Sequence, residues 1–180
     1  MQEVSVIIPN FNGMAYLDGV LAGLECQSVN NFEVILVDNG SSDGSCAFVA
    51  ARYPWVHLIE LPENFGFCKA VNEGIKASRA PYVLLLNNDI EVTENFIEEM
   101  IFAIKRHPKA FSCAARMIQF HDRDKLDDAG NYYCALGWAY ARGKGKDIHT
   151  YEKEEKIFAS CAGAAIYRKK IFDKIGYFDE

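Results

Sequence analysis

Two carboxylates in this 180-residue chain stand where apolar runs stop abruptly. Asp38 follows Phe32-Glu33-Val34-Ile35-Leu36-Val37 and opens the polar stretch Asp38-Asn39-Gly40-Ser41-Ser42-Asp43-Gly44. Asp89 closes Asn87-Asn88-Asp89 after the unbroken run Tyr82-Val83-Leu84-Leu85-Leu86. A carboxylate accepts hydrogen bonds from hydroxyl and ring N–H groups, which suits Asp38 to a ribose or a base. Asp89, among short polar neighbours, suits a hard oxygen-preferring cation such as Mg2+ or Mn2+ shared with phosphate oxygens. Two further polar stretches, Asn10-Phe11-Asn12-Gly13 and Asn64-Phe65-Gly66, also follow apolar runs. Each stretch alone fits plain turn chemistry, because Asn, Asp, Ser and Gly are the common turn formers. Four in succession favour one shared site.

The elements that must position these residues read as alternating strands and helices. Strands are predicted at residues 4–9, 32–37, 56–61 and 82–86, and helices at 14–25, 45–53, 68–77 and 94–106. Strand, polar loop and helix repeating in this order is the signature of a parallel sheet with right-handed crossovers, and it places all four loops on the carboxyl edge, where ligands of open α/β sheets bind. The run at 82–86 reads as a strand buried on both faces near the sheet centre. Neither a Walker lysine motif nor GxGxxG is present. The Gly-bearing stretch from Asn64 to Lys69 nevertheless enters a helix whose N-terminus can receive phosphate, with Lys69 adding a charge there or lying solvated.

Beyond Phe111 the rhythm changes. A strand at 111–120, a charged loop at 122–128, an aromatic stretch at 132–140, a basic flexible loop at 142–146, a strand at 158–167 and a short helix at 168–175 are expected. Residues 1–110 read as a nucleotide-binding half and 111–180 as an irregular acceptor-side half of one domain.

The net charge of -6 removes the long-range attraction that drives nucleic-acid binding. Six cysteines without CxxC or Cys/His spacing read as reduced thiols of a cytoplasmic protein. No apolar run approaches the roughly 20 residues needed to cross a bilayer, so any membrane association is expected to be peripheral.

The ordered segments VSVIIPNFNG, ILVDNGSSDGS, NFGFCKAVNEGI, LLLNNDIEV and CAGAAIYRKKIFDKIGYFDE resemble the motifs of family 2 glycosyltransferases over essentially the whole chain. The resemblance implies the α/β GT-A fold, with a Rossmann-like, mostly parallel central sheet flanked by helices. It also implies inverting transfer of a sugar from a nucleotide-diphospho-sugar to an acceptor hydroxyl, in the synthesis of a cell-surface polysaccharide or glycan. The acceptor would be a glycan or a lipid-linked saccharide. Donor-binding candidates are Pro9, Asn10 and Asn12 in the first loop, Asp38 in the second, Asn64, Gly66 and Lys69 in the third, and Asn88 in the fourth. Asp89 falls in the metal-binding DxD position, with Asn87 in place of the first Asp, a form similar to that of rhamnosyltransferase-like members. GYFDE resembles the start of the acceptor-side region, which makes Asp179 and Glu180 candidates for the catalytic base, although in many relatives a downstream Glu-Asp motif supplies it. Standing next to a terminus, these two carboxylates are expected to be poorly ordered. Two rival readings are a nucleotide-binding module without a base and a sugar nucleotidyltransferase. The latter would need basic residues in a Gly-rich first loop, which Asn10 to Gly13 lack.

Overall fold

The computed structural model describes residues 2–180. Four strand-helix units come first: β1 (Val4–Asn10) and α1 (Met14–Glu25), β2 (Phe32–Asp38) and α2 (Ser45–Arg52), β3 (His57–Glu60) and α3 (Phe67–Ala77), β4 (Tyr82–Leu86) and α4 (Phe96–Arg106). Shorter strands follow, namely β5 (Ser112–Ala114), β6 (Met117–Ile118), β7 (Leu126–Asp128), β8 (Asn131–Tyr133) and β9 (Ala139–Ala141), and then β10 (Ala164–Arg168) and α5 (Lys169–Ile175). The main sheet runs β3-β2-β1-β4-β10-β5. β3, β2, β1 and β4 are mutually parallel, while β10 lies antiparallel to both β4 and β5.

Burial on two faces explains the apolar runs. Val4, Val6 and Ile8 of β1 join Val34, Leu36, Leu84 and Leu86 in a core closed by α1 and α4. The residues between them point the other way, so Ile7, Val83 and Leu85 pack with Val71 and Ile75 of α3 and Phe172 of α5. Each such buried side chain contributes roughly 1.5–3 kcal/mol, which is why β1 and β4 hold no charged residue. β4 sits between β1 and β10, inside the sheet as expected.

The second half departs from its sequence reading in several places. The expected strand at 111–120 is broken: β5 pairs with β10, whereas β6 turns away to pair with β7 in a separate two-stranded sheet. β7 lies within the expected charged loop, because Leu126 and Asp128 are both buried there. The aromatic stretch is the hairpin β8–β9, with the Tyr132 and Tyr140 rings 5.5 Å apart. Of the expected strand 158–167, only the part from Ala164 enters the main sheet; Ala159 instead donates its neighbourhood to an isolated bridge with Asn131. The basic loop loses its first charge to the interior. Arg142 is buried over the Tyr151 ring at 4.0 Å, paired with Glu155, and donates to the Ala129 carbonyl at 3.2 Å. All six cysteines are free, and no helix among the described residues is long and apolar enough to cross a membrane.

The approach of α3 to the sheet depends on Gly74. A Cβ there would lie 2.4 Å from Cγ2 of Ile7 and 3.3 Å from Cγ2 of Val37. Alanine gains about 1 kcal/mol of helix propensity over glycine, but forcing a carbon into packed core costs typically 1–3 kcal/mol. Gly74→Ala is therefore expected to lower the thermal unfolding midpoint, by roughly 2–4 °C per net kcal/mol lost. A raised midpoint would show that Ile7 yields without strain.

Candidate active site

Because β1, β2 and β4 are parallel, their carboxyl ends open together onto one cleft of about 340 Å³. The first loop contributes Pro9, Asn10 and Phe11, and the second contributes Asn39. Asn64 and Gly66 come from the third loop, continued by Phe67 and Ala70 of α3. The fourth side is Asn87-Asn88-Asp89, held to β10 by the Asn87 N–H donating to the Gly163 carbonyl at 2.9 Å. Among the described residues, Asp89 is the only one lining the cleft with a formal charge, and none of those lining it is basic.

Asp38 lies behind this wall, 2% exposed, and organises it. Its Oδ1 accepts from Asn10 Nδ2 at 2.8 Å, and its Oδ2 accepts from the Ser41 N–H at 2.8 Å. Burial alone would raise its pKa, but hydrogen bonds from Ser41, Asn10 and the Cys46 thiol outweigh burial and hold the carboxyl below its ordinary value. The same burial and the carboxylates of Asp38 and Glu60 push the Cys46 thiol up to about 12. An ionised carboxylate only accepts, so Asn10 must turn its NH2 toward Asp38 and its carbonyl oxygen away. That oxygen accepts from Asn88 Nδ2 at 2.7 Å. Asn88 in turn spends its amide NH2 on Asn10, which fixes which of its two amide atoms faces that residue. Amide orientation is ordinarily ambiguous, and here one buried charge fixes two amides in series. Gly13 makes room for the relay, since a Cβ there would lie 2.1 Å from Asn88 Nδ2 and 2.3 Å from Asn10 Oδ1.

A second network sets the opposite wall. Asn39 donates from Nδ2 to Asn64 Oδ1 at 2.8 Å, while its own Oδ1 accepts from the Phe65 N–H at 3.0 Å. Asn64 Oδ1 also accepts from the Gly66 N–H at 2.9 Å. The entry to α3 is thereby tied to the end of β2. The φ of +88° at Gly66 needs a residue without Cβ.

Of the residues singled out in the sequence, Pro9, Asn10, Asn64, Gly66, Asn88 and Asp89 come together at the cleft. Five others do not line it: Asp38, which stands behind the wall, and four more. Asn12, in the left-handed region at φ +49°, cross-links the first two loops by accepting from the Ser42 N–H at 2.9 Å and donating its own N–H to Ser41 Oγ at 2.8 Å. Lys69 pairs with Glu73 at 3.1 Å and Glu180 at 3.2 Å instead of facing the cleft, and these partners raise its pKa. Glu180 also accepts from Asn72 Nδ2 at 3.1 Å; Asn72 first and Lys69 second hold its carboxyl below its usual value. The expected loose end is thus anchored, because Phe178 is bonded to Asn72 through both its N–H and its carbonyl. Asp179 is exposed, with no ion pair among the described residues.

Phe11, Asn39 and Asn87 lie in the loops that the sequence brought to this edge but were not singled out, and Phe67 and Ala70 of α3 were not expected as cleft residues. Their signal was adjacency alone, each standing next to a candidate in the chain. Among the described residues no cluster of three or more His, Cys, Asp or Glu forms a closed metal cage. Asn88 and Asp89 both line the cleft, and amide and carboxylate oxygens are the hard ligand types that suit Mg2+ or Mn2+.

Comparison with known proteins gives the family and the fold. The chain is 25% identical over 181 aligned positions to an uncharacterised glycosyltransferase, YwdF, of Bacillus subtilis, covering 98% of this chain and 62% of that protein. It is also 25% identical, over 97% of its length and 64% of the relative's, to an N-acetylglucosaminyl-diphospho-decaprenol L-rhamnosyltransferase of Mycobacterium tuberculosis. The chain thus spans less than two thirds of these relatives. Among solved structures, S. aureus TarS 1-349 in complex with UDP-GlcNAc superposes with a TM-score of 0.72 at 21% identity, over 99% of this chain and 49% of that one. A mannosyltransferase, PcManGT, from Pyrobaculum calidifontis, in complex with GDP-Man and Mn2+, gives 0.71 at 15% identity, over 98% and 47%. At these identities the superpositions establish the fold, which is GT-A. The glycosyl transferase family 2 model matches residues 5–176, and the chain belongs to that family.

Proposed function

We propose that this chain transfers a glycosyl group from a nucleotide-diphospho-sugar to an acceptor hydroxyl with inversion of configuration, in the cytoplasm, during synthesis of a surface glycan or polysaccharide. One observation carries the reading: the cleft at the ends of the parallel strands holds five asparagines, one carboxylate and no cation of its own. Asparagines and backbone groups hydrogen-bond a nucleoside, and the exposed rings of Phe11 and Phe67 offer apolar surface to a base. A diphosphate brought into such a cleft needs positive charge from elsewhere, and Asp89 with the Asn88 oxygen can share a divalent cation with it. When bound, that cation would supply Lewis-acid stabilisation of the departing diphosphate.

In the transfer, the acceptor oxygen forms a bond to the anomeric carbon as the bond from that carbon to the diphosphate oxygen breaks. The hydroxyl proton passes to a carboxylate on the opposite face of the sugar. Asp179 is better suited than Glu180 to receive it, because Glu180 is already engaged by Asn72 and Lys69. Asp38 serves the donor site by fixing the amides of Asn10 and Asn88 from behind. The relatives whose printed names concern a decaprenol-linked acceptor and GDP-Man with Mn2+ support the donor class and a lipid-linked or glycan acceptor. A peripheral position at a membrane would follow from such an acceptor.

Incubation with a panel of UDP-, GDP- and dTDP-sugars and Mn2+, reading diphosphate release with and without acceptor, tests the reaction. A binding module retains donor and releases nothing, and a nucleotidyltransferase releases pyrophosphate from a nucleoside triphosphate and a sugar phosphate. Asp89→Asn removes the single charge at nearly constant size, and it is expected to weaken Mn2+-dependent donor binding more than tenfold by titration calorimetry while leaving the unfolding midpoint unchanged. Undiminished metal-dependent binding would sink Asp89 as the cation ligand.

Asp38→Asn tests the relay. An amide at 38 can also donate, so the orientations of Asn10 and Asn88 are no longer imposed, and donor affinity in the presence of Mn2+ is expected to fall about tenfold. Stability gives an independent reading. The folded-state pKa of Asp38 is depressed, so the unfolded chain takes up the proton first as pH falls. Its stabilising contribution is full above the unfolded value near pH 3.9 and is lost below it, through the depressed folded value. The stability gap between wild type and Asp38→Asn should therefore close as the solution is acidified through that window, as measured by urea unfolding. A gap that stays constant would mean that folding leaves the Asp38 pKa unchanged, and a gap that widens on acidification would mean that the folded protein favours the neutral carboxyl.

A further inference from the structure

We infer that Asn72 is a positioning residue for sugar transfer, fastening the Tyr177-Phe178-Asp179-Glu180 segment to the same helix that walls the donor cleft. The inference rests on the transferase reading and deepens it. Asn72 is 1% exposed in the middle of α3, on a buried face shared with Val71, Gly74 and Ile75. A polar side chain in such a place is destabilising unless it is fully paired. Its partners all lie more than a hundred residues downstream. The Phe178 N–H donates to Asn72 Oδ1 at 3.0 Å, and Asn72 Nδ2 donates to the Phe178 carbonyl at 2.7 Å and to Glu180 Oε1 at 3.1 Å. One side chain therefore reads the backbone in both directions, as a neighbouring strand would.

The rest of the segment is fixed around that clamp. The Phe178 ring stands 5.9 Å from Phe172 and 6.4 Å from Tyr167, both of which belong to the core on that side of the sheet. Lys69, one turn before Asn72, holds the Glu180 carboxylate from a second direction. Glu180 is thereby committed to α3, which leaves Asp179 as the unpaired carboxylate of the segment.

The clamp matters because of where α3 begins. Gly66, Phe67 and Ala70 line the donor cleft, and a helix rises 1.5 Å per residue, so Asn72 sits only about 3 Å along the axis from Ala70 and about 7.5 Å from Phe67. Donor wall and acceptor-side carboxylate are thus referenced to a single rigid element. A base must stay within hydrogen-bond reach of the attacking hydroxyl, and a displacement of about 1 Å can cost on the order of a hundredfold in rate.

The test compares the intact wild-type protein with Asn72→Ala and Asn72→Asp. With Asn72→Ala, acceptor-dependent turnover at saturating donor is expected to fall roughly 10- to 100-fold. Donor affinity with Mn2+ should stay within about twofold, because no cleft-lining atom changes, and the Phe178 amide should lose its hydrogen-exchange protection. The carboxyl introduced by Asn72→Asp accepts from the Phe178 N–H, but when ionised it can donate to neither the Phe178 carbonyl nor Glu180. Protonation restores one donor, so turnover of this variant relative to wild type should rise as pH falls. A purely structural role would instead lower midpoint, donor affinity and turnover together, without that rise, and either this outcome or wild-type turnover with an unprotected Phe178 amide overturns the inference. Should Asn72→Ala fail to fold, the volume-conserving Asn72→Asp decides through its pH ratio alone. Failure of the transferase reading is separately visible, since the wild-type protein would then show no acceptor-dependent diphosphate release from any nucleotide-sugar of the panel, whether or not it binds one.

Discussion

A carboxylate buried at the end of a strand must be satisfied, and the way Asp38 is satisfied determines the rest of the site. The pairing of Asn10 with Asp38 is in register between β1 and β2, so the two loops leave the sheet at the same height. The hydrogen bond across that register joins the loops chemically as well as geometrically. From there polarity propagates by elimination: Asn10 can only donate to Asp38, and Asn88 can only donate to Asn10. The sheet core and the cleft are therefore one construction. Ile7, Ile8 and Leu86, buried on both sides just below the loops, hold the strand ends rigidly enough for side chains under 3 Å apart to define orientation.

α3 performs the corresponding task on the other wall. Its first turn is tied to β2 through Asn39 and Asn64, its middle packs on Ile7 through Gly74, and its polar positions Lys69 and Asn72 reach the last residues of the chain. The close approach allowed by Gly74 has a packing cause, and the buried Asn72 has a hydrogen-bonding one. Both belong to one helix face that would otherwise be a plain apolar stripe.

Much of this was legible in the sequence, and the reasons differ by region. The two-sided apolar runs of β1, β2 and β4 and the turn residues after them announce a parallel sheet, because strand period and loop chemistry are local properties. The second half was less readable since its strands are only two to five residues long and are fixed by long-range pairing, as when Ala165 finds both Leu85 and Ala114. Glycosyl transferase family 2 membership followed from the order of motifs, and the matched span of residues 5–176 bears it out. Within the site, position was legible but role was less so. Spacing put Asp38 and Asp89 at the same edge, yet nothing local distinguishes a carboxylate that faces a cleft from one that stands behind it and orients amides. Asn72 carried a signal that was passed over, an amide embedded in the apolar stripe of a helix.

The near absence of charge in the cleft has a physical rationale on the transferase reading. Two charges about 4 Å apart interact by roughly 4 kcal/mol at an effective dielectric constant near 20, so each added carboxylate beside a diphosphate would repel it by a comparable amount. A cleft with Asn87 and Asn88 in front of Asp89 keeps oxygen ligands available while adding only one negative charge. A divalent cation held there retains about one net positive charge toward the diphosphate, which two or three carboxylates would cancel. Neutral amides, however, bind a cation weakly unless their oxygens already point at it. The buried charge of Asp38 fixes the amides of Asn10 and Asn88 from outside the cleft, where its own field is spent on Asn10, Ser41 and Cys46.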